Sequence, residues 1–441
     1  MSEAFADGFL HRLRNDNGYK VYWGNGCQII PPHDTGIARS IEAVKDVKSW
    51  NDSLVDGDSH VKRIFPEATS AYFKALNALA RPLSSGSTPL NFVYTPMHGV
   101  GLPFMEQLAS LFADTVSMQV VDAQAAPDPD FPSVPFPNPE EKGALTLAIQ
   151  EADMHDCSLI LANDPDADRF AVAERLENGT WHQFTGNQMG VLLASFVMQT
   201  YTGDTSKLAM LASAVSSRML AVIAEKEGFH FQETLTGFKW LGNIAQELRK
   251  HGYEPAYAYE EAIGYMFPTV VWDKDGVAAA TVFLKACLRW QQRGLTPYAT
   301  LQDLYKKYGY FEDSNTYLIS PSPDTTNRVF NDIRALNAGS RPQTLGKRKI
   351  SRWRDLTLGF DSGTADGKPE LPIDASAQMI TCEMDGVVFT ARGSGTEPKI
   401  KLYIEAQSQT SGEARATADA VLRDLLKEWF RSEYGLKLAG T

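Results

Sequence analysis

The sequence predicts an α/β protein of several domains whose last part changes to an α+β order. Two observations carry the prediction. Short apolar runs, glycine-bearing loops and helical periods alternate from about residue 90 to residue 292, the pattern of parallel α/β units. After about residue 316 the order becomes strand, helix, hairpin, terminal helix. Length agrees, since 441 residues at roughly 100–200 per domain allow about two to four domains.

In chain order, LNFVY (90–94) reads as a buried strand, TPMHGVG (95–101) as its loop and PFMEQLASLFAD (103–114) as a helix by its apolar spacing. VSMQVV (116–121) is the next strand. Prolines at 127, 129, 132, 135, 137 and 139 then forbid regular structure, because proline lacks the N–H donor and fixes φ. A helix over 140–153 leads into the strand CSLILAN (157–163). KLAMLASAV (207–215), FHFQETL (229–235) and PAYAYE (255–260) are further strands, with helices in SSRMLAVIAEKEG and FKWLGNIAQELRKHG between them. A long helix from about Gly276 to Gln292 closes this stretch. The remainder holds the strand-like NTYLIS, a helix near 325–337, an irregular segment, the hairpin MITCEMDGVVFTARG, the strand IKLYIEA and the helix EARATADAVLRDLLKEWF. Boundaries fall near 86, 205 and 316, giving segments 1–85, 86–204, 205–315 and 316–441.

Composition narrows the function. The net charge of −12 argues against a nucleic-acid partner, whose phosphates demand basic surface. No apolar run approaches the ~20 residues of a membrane span. The opening MSEAFADGFLHRLRND has no apolar core of a secretory signal. Cys27, Cys157, Cys287 and Cys382 are far apart and form no CxxC pair, so they read as buried thiols. A cytoplasmic protein is the expectation.

The sharpest chemical signal is Asn163-Asp164-Pro165-Asp166-Ala167-Asp168-Arg169, directly after a strand. Three carboxylates at i, i+2 and i+4 repel one another unless a cation stands between them, and hard oxygen ligands suit Mg²⁺. An EF-hand fails here, because Arg169 and Arg175 occupy the positions of its glycine and its last glutamate. The competing reading is a solvated acidic turn. Ligands gather at the carboxyl ends of parallel strands, which favours a site. A second signal is Arg392-Gly393-Ser394-Gly395-Thr396-Glu397-Pro398-Lys399. Small residues let N–H groups approach an anion, hydroxyls add donors and Arg392 offers a bidentate fork. Phosphate is the natural guest, although the loop is not a Walker A motif. Three weaker stretches are Thr236-Gly237-Phe238-Lys239, which equally suits a helix cap, the paired carboxylates of Tyr259-Glu260-Glu261-Ala262-Ile263-Gly264, and Asp273-Lys274-Asp275-Gly276, where Asp275 suits a cap and Lys274 an anion contact.

In joint order these five motifs resemble the phosphohexomutase superfamily, the α-D-phosphoglucomutases and phosphomannomutases. The resemblance runs from about Asn15 to the C-terminus, and DNGYKVYW (16–23), TPMHGVG, TGFKW and EEAIGY resemble its phosphopentomutase and phosphoribomutase branch. It implies four domains around a central cleft, three α/β and one C-terminal α+β domain that binds phosphate. It also implies an intramolecular phosphotransferase that interconverts a sugar 1-phosphate with a 5- or 6-phosphate, ribose or deoxyribose phosphate first. A phosphoserine and a bisphosphate intermediate carry the reaction, with Mg²⁺ as cofactor and a sugar bisphosphate as activator. By motif position, Asp164, Asp166 and Asp168 hold Mg²⁺, Arg169 sits beside the phosphoserine, Lys20 is the general base, and Lys274 is a second cation at the reacting phosphate. Glu260 grips sugar hydroxyls, Thr236 and Gly237 shape the sugar loop, and Arg392, Ser394, Gly395 and Thr396 hold the non-reacting phosphate. Ala262 stands where the glucose branch carries a serine. A phosphosugar is the implied partner, with no nucleic acid or membrane, and a complete chain is expected to be monomeric.

One motif is missing. The superfamily's serine lies in a TASHNP-type motif just before the segment matching DNGYKVYW, and here Leu10 falls at its place, within Asp7–Arg14. No serine occurs between Glu3 and Arg39. Segment 1–85 therefore reads as the truncated remnant of a first α/β domain, with little mutase activity expected. The alternative is a non-catalytic sugar-phosphate binder or regulatory protein.

Overall fold

Each predicted alternation of strand and helix has its physical counterpart in a parallel sheet. The computed structural model describes residues 5–7, 20–46, 49–51, 53, 61–62, 64–81, 89–112, 115–134, 136–393 and 398–439. The chain divides into two compact units, Met1–Ser213 with Glu227–Leu301, and Ala214–Lys226 with Gln302–Thr441.

The first unit opens with β1 (Phe5–Asp7) and β2 (Lys20–Tyr22), paired antiparallel, then α1 (His33–Glu42) and α2 (Phe65–Ala80). Its first large sheet uses β3 (Leu90–Thr95), β4 (Val116–Val120), β5 (Leu159–Ala162), β6 (Ala171–Arg175) and β7 (Trp181–Gln183), in the order β4-β3-β5-β6-β7. The pairs β3/β4 and β3/β5 are parallel, and β6 and β7 add antiparallel. Helices α3 (Leu102–Leu111), α4 (Asp122–Ala125) and α5 (Thr146–Met154) connect them. After α6 (Gly186–Thr200) the chain runs through β8 (Leu208–Ser213), α7 (Met219–Glu227), β9 (His230–Thr234), α8 (Phe238–Lys250), β10 (Glu254–Glu260), β11 (Gly264–Met266), α9 (Gly276–Gln291) and α10 (Pro297–Tyr308), of which α7 up to Lys226 and α10 from Gln302 belong to the second unit. Their sheet has the order β11-β10-β8-β9, with β8 parallel to both β9 and β10. All six residues of β8 and all four of β5 are buried, as central strands covered on both faces must be.

The second unit is built on one nine-stranded sheet. Its strands are β12 (Tyr310–Asp313), β13 (Thr316–Ile319), β14 (Thr344–Leu345), β15 (Arg348–Asp355), β16 (Phe360–Asp361), β17 (Met379–Met384), β18 (Val387–Gly393), β19 (Lys399–Ser408) and β20 (Lys437–Leu438). Helices α11 (Pro323–Arg334) and α12 (Ser411–Glu428) supply Phe330, Val421 and Leu425 to a core that also holds Trp353, Phe389 and Ile400.

Two sequence expectations need correcting. The helix expected from residue 140 begins at Thr146, because Gly143 takes φ +86° and the residues around it form separate turns, the Glu141 N–H to the Asn138 carbonyl and the Ala144 N–H to the Glu141 carbonyl at 3.0 Å each. The segment expected to be irregular before the hairpin contains β14, β15 and β16. Its basic strand RKISRWRD is stable because Arg352 pairs with Asp361 at 2.7 Å and Glu383 at 3.0 Å, while Trp353 enters the core. Helix α10 and strand β12 carry no sequence expectation at all. The four cysteines are free and buried. Among the described residues, no helix is long and apolar enough to cross a membrane.

Candidate active site

Strand β5 ends at Ala162, and the chain turns at once through Asn163–Arg169. The turn is tight: Ala167 adopts φ +57° and its N–H donates to the Asp164 carbonyl at 2.9 Å. It brings Asp164, Asp166 and Asp168 together, one carboxylate oxygen from each lying within 4.8 Å of the others. Burial, then Asp168 and Asp166, pushes the Asp164 carboxyl well above the usual carboxylate range. That is the mark of like charges crowded away from water, a cost that a divalent cation removes. The donor set is all oxygen and therefore fits Mg²⁺.

Cations ring the same loop. Burial opposes the charge of Asp168, but Lys274 and Lys20 outweigh it and hold its carboxyl below the usual range. Lys274 Nζ stands 2.6 Å and Lys20 Nζ 3.2 Å from Asp168 Oδ2. Lys20 is reached from β2, and Lys274 from the turn that enters α9. Burial also opposes the charge of Lys274, and Asp168 and Asp273 raise its pKa despite it. The Arg169 N–H donates to Asp164 Oδ1 at 3.0 Å, and its Nε lies 3.9 Å from Oδ2.

The sugar-loop residues sit in the same unit. Gly237, at φ +107°, begins α8 and donates its N–H to Glu260 Oε1 at 2.6 Å. Thr236 precedes it and is half-buried. Burial, then Glu261, pushes the Glu260 carboxyl up to about 7, against the pull of the Gly237 N–H, Lys274 and Arg169. Backbone bonds tie the two loops together, with Arg169 bridging Gly264 and the Phe170 N–H donating to the Ile263 carbonyl at 3.0 Å. Asp275 caps α9, accepting from Val277 N and Ala278 N at 2.9 Å each.

Arg392 belongs to the second unit, in β18, opposite Met379 on one side and Lys401 on the other. It is half-buried. Ser394, Gly395 and Thr396 lie outside the described residues, as does Leu10.

Three side chains that carry no expectation from the letters are brought in by the fold. The Tyr94 hydroxyl donates to Asn163 Oδ1 at 2.9 Å, Tyr22 to Asp273 at 2.6 Å, and Tyr72 to both oxygens of Asp275 at 2.9 Å. A tyrosine at the end of a buried strand was the available signal for Tyr94. Nothing local pointed to the other two.

Chemically, a triad suited to a hard cation, two lysines and an arginine stand over one loop, and a carboxylate anchored to a helix start stands on the next. The arrangement suits an anionic, hydroxyl-bearing ligand. Comparison with known proteins agrees. Residues 70–178 match alpha/beta/alpha domain II of the phosphoglucomutase/phosphomannomutase family, 185–308 match its alpha/beta/alpha domain III, and 382–423 match its C-terminal domain. A probable phosphoribomutase of Schizosaccharomyces pombe is 44% identical over 95% of this chain and 72% of its own. The human phosphopentomutase is 43% identical over 90% of this chain and 66% of its own. The human glucose 1,6-bisphosphate synthase is 38% identical over 95% and 70%. The crystal structure of the phosphoglucomutase pp63/parafusin from Paramecium shares the fold with a TM-score of 0.62 at 18% identity, over 95% of this chain and 74% of that one. The chain therefore belongs to the phosphohexomutase superfamily, a family of phosphomutase enzymes, on the branch of the relatives named phosphoribomutase and phosphopentomutase.

Proposed function

We propose that this lineage interconverts a pentose 1-phosphate with its 5-phosphate, with ribose and deoxyribose phosphates ahead of glucose phosphate, through a phosphoserine and a sugar bisphosphate. The observation that carries the reading is the clustering of Lys20 and Lys274 around the loop that holds Asp164, Asp166, Asp168 and Arg169, a loop bonded through its backbone to that of Glu260. Phosphoryl transfer asks mainly for positioning and charge neutralisation, and these groups supply both.

Asp164, Asp166 and Asp168 would hold Mg²⁺, which when bound would offset negative charge on the phosphoryl group. Lys274 and Arg169 add positive charge around the transferred phosphate, and Lys20 moves the proton of the attacking sugar hydroxyl. Glu260, fixed by the Gly237 N–H, accepts from the sugar hydroxyls, with Thr236 shaping the loop. Arg392, with Ser394, Gly395 and Thr396, binds a phosphate group.

Leu10 stands at the nucleophile's place, and a leucine carries no phosphoryl group. This favours a second reading for the 441-residue polypeptide: it binds the sugar phosphates of its lineage and turns them over little. Two measurements decide. Purified protein with Mg²⁺, ribose 1-phosphate and a glucose 1,6-bisphosphate activator should yield little ribose 5-phosphate, and robust turnover overturns the argument from Leu10. Calorimetry with ribose 5-phosphate should show saturable binding. No binding by folded protein removes the sugar-phosphate reading itself.

A further inference from the structure

The acidic loop alternates in a way that the ligand set alone does not explain. Asp164, Asp166 and Asp168 converge, while the carbonyls of the residues that follow each of them are all taken, two by partners outside the loop and one by the loop's own first residue. The Pro165 carbonyl accepts from the Val100 N–H at 2.9 Å, the Ala167 carbonyl from the Gly276 N–H at 3.1 Å, and the Arg169 carbonyl from Asn163 Nδ2 at 2.5 Å. The three carboxylates thus converge while each intervening or closing carbonyl is committed to a partner.

Asn163 is the one side chain in this set. It is fully buried, and both ends of its amide are committed: Oδ1 accepts from the Tyr94 hydroxyl at 2.9 Å, and Nδ2 closes the loop at Arg169. Tyr94 is itself fully buried at the end of β3. The amide therefore spans the loop from its first residue to its last and fixes it to the sheet. Backbone close on the other sides leaves no slack. A Cβ on Gly99 would stand 2.3 Å from Pro165 Cα, and one on Gly276 would stand 2.3 Å from the Arg169 carbonyl oxygen.

We propose that Asn163, held by Tyr94, is a positioning residue that sets the spacing of Asp164, Asp166 and Asp168 and thereby the preference of the loop for Mg²⁺ over Ca²⁺. The inference rests on the reading of that triad as a divalent-cation site. The physical reason is a difference in tolerance between the two ions. Mg²⁺ demands near-ideal octahedral geometry at short distance, whereas Ca²⁺ accepts longer and looser coordination. Residues that orient ligands without touching the metal typically change affinity by about 10–100-fold when removed. Freeing the loop should spend that loss unequally on the two ions.

The test is calorimetric titration of the full chain with MgCl₂ and, separately, CaCl₂. Asn163→Ala should weaken Mg²⁺ binding by about 10-fold or more while Ca²⁺ binding falls distinctly less, so that the ratio of the two affinities shifts toward Ca²⁺. Tyr94→Phe keeps the ring packing, removes only the donor to Asn163, and should shift the ratio in the same direction by less. It also keeps the proposal testable where Asn163→Ala does not fold. A general loss of stability would weaken both ions in proportion. Equal losses, or an unchanged ratio in a folded variant, overturn the proposal. Wild-type protein that binds neither ion removes the reading of the triad as a metal site, and the proposal with it.

Discussion

Glu260 is the residue whose electrostatics can be read most directly. Burial and the neighbouring Glu261 raise its carboxyl from 4.5 to about 7. An acid raised in the folded state holds its proton more readily there than in the unfolded chain. Its contribution to stability is therefore full below the ordinary glutamate range and is lost as pH climbs through about 7. Glutamine at this position has no charge to desolvate and keeps an acceptor for the Gly237 N–H. Glu260→Gln should thus gain melting temperature over wild type at about pH 8 and little or none at about pH 4, with the difference opening in between. Glu405 also rises to about 7, but it is present in both proteins and cancels in the comparison. Scanning calorimetry across that range checks this, and a difference that does not change with pH would show Glu260 ionising as an exposed carboxylate does. Ribose 5-phosphate binding should weaken in the same variant, because its amide grips a sugar hydroxyl less strongly than a carboxylate does.

At the scale of elements, the entry to α9 shows how a helix start serves a loop. Asp275 accepts from two N–H groups of the first turn and from the Tyr72 hydroxyl, so Asp275→Ala should cost about 1–2 kcal/mol as a lost cap. Gly276 comes next and admits no Cβ without meeting the Arg169 and Ala167 carbonyl oxygens, at 2.3 and 2.6 Å. Gly276→Ala should cost about 1–3 kcal/mol by overpacking. Gly36→Ala, inside α1 with nothing within 4 Å of the added carbon, should be neutral or gain up to about 1 kcal/mol from helix propensity. Urea unfolding of the three variants orders them, and a Gly276→Ala protein as stable as Gly36→Ala would refute the close approach. The same elements show what the letters disclose. Strands β3, β5 and β8 are legible because buried strands must be apolar. Strand β15 is not, because its arginines are solvated in one context and paired with Asp361 and Glu383 in another, and the partners are remote in sequence. The acidic triad is legible from spacing alone. The clamp on it is not, since Asn163 meets a tyrosine 69 positions away and Glu260 meets a glycine 23 positions away.

At the scale of the whole molecule, chain order and unit order part company at residues 214–226. This segment follows β8 and precedes β9, strands of the first unit, yet it packs in the second. Its anchor is Glu405 of β19, which accepts from the Arg218 N–H at 2.8 Å and from the Ser217 side chain. The Arg218 guanidinium lies 3.5 Å from Glu383, and Lys226 donates to the Lys307 carbonyl at 3.1 Å. Arg218 and Glu405 are 187 positions apart, so no local pattern could have paired them. Glu405→Ala removes an acceptor and leaves a helix-start N–H and a hydroxyl without it, a loss of about 1–3 kcal/mol when such groups stay out of water. The loss should be local. Amides of Arg218 to Val222 should exchange faster with solvent by hydrogen-exchange mass spectrometry, since opening the segment then costs less. Glu405→Gln keeps an oxygen in place and should restore slow exchange, and above about pH 7 it should protect the segment better than glutamate, whose buried charge is then unfavourable. Faster exchange in the glutamine variant at that pH would mean that the charge of Glu405, not its position as an acceptor, holds residues 214–226 in the second unit.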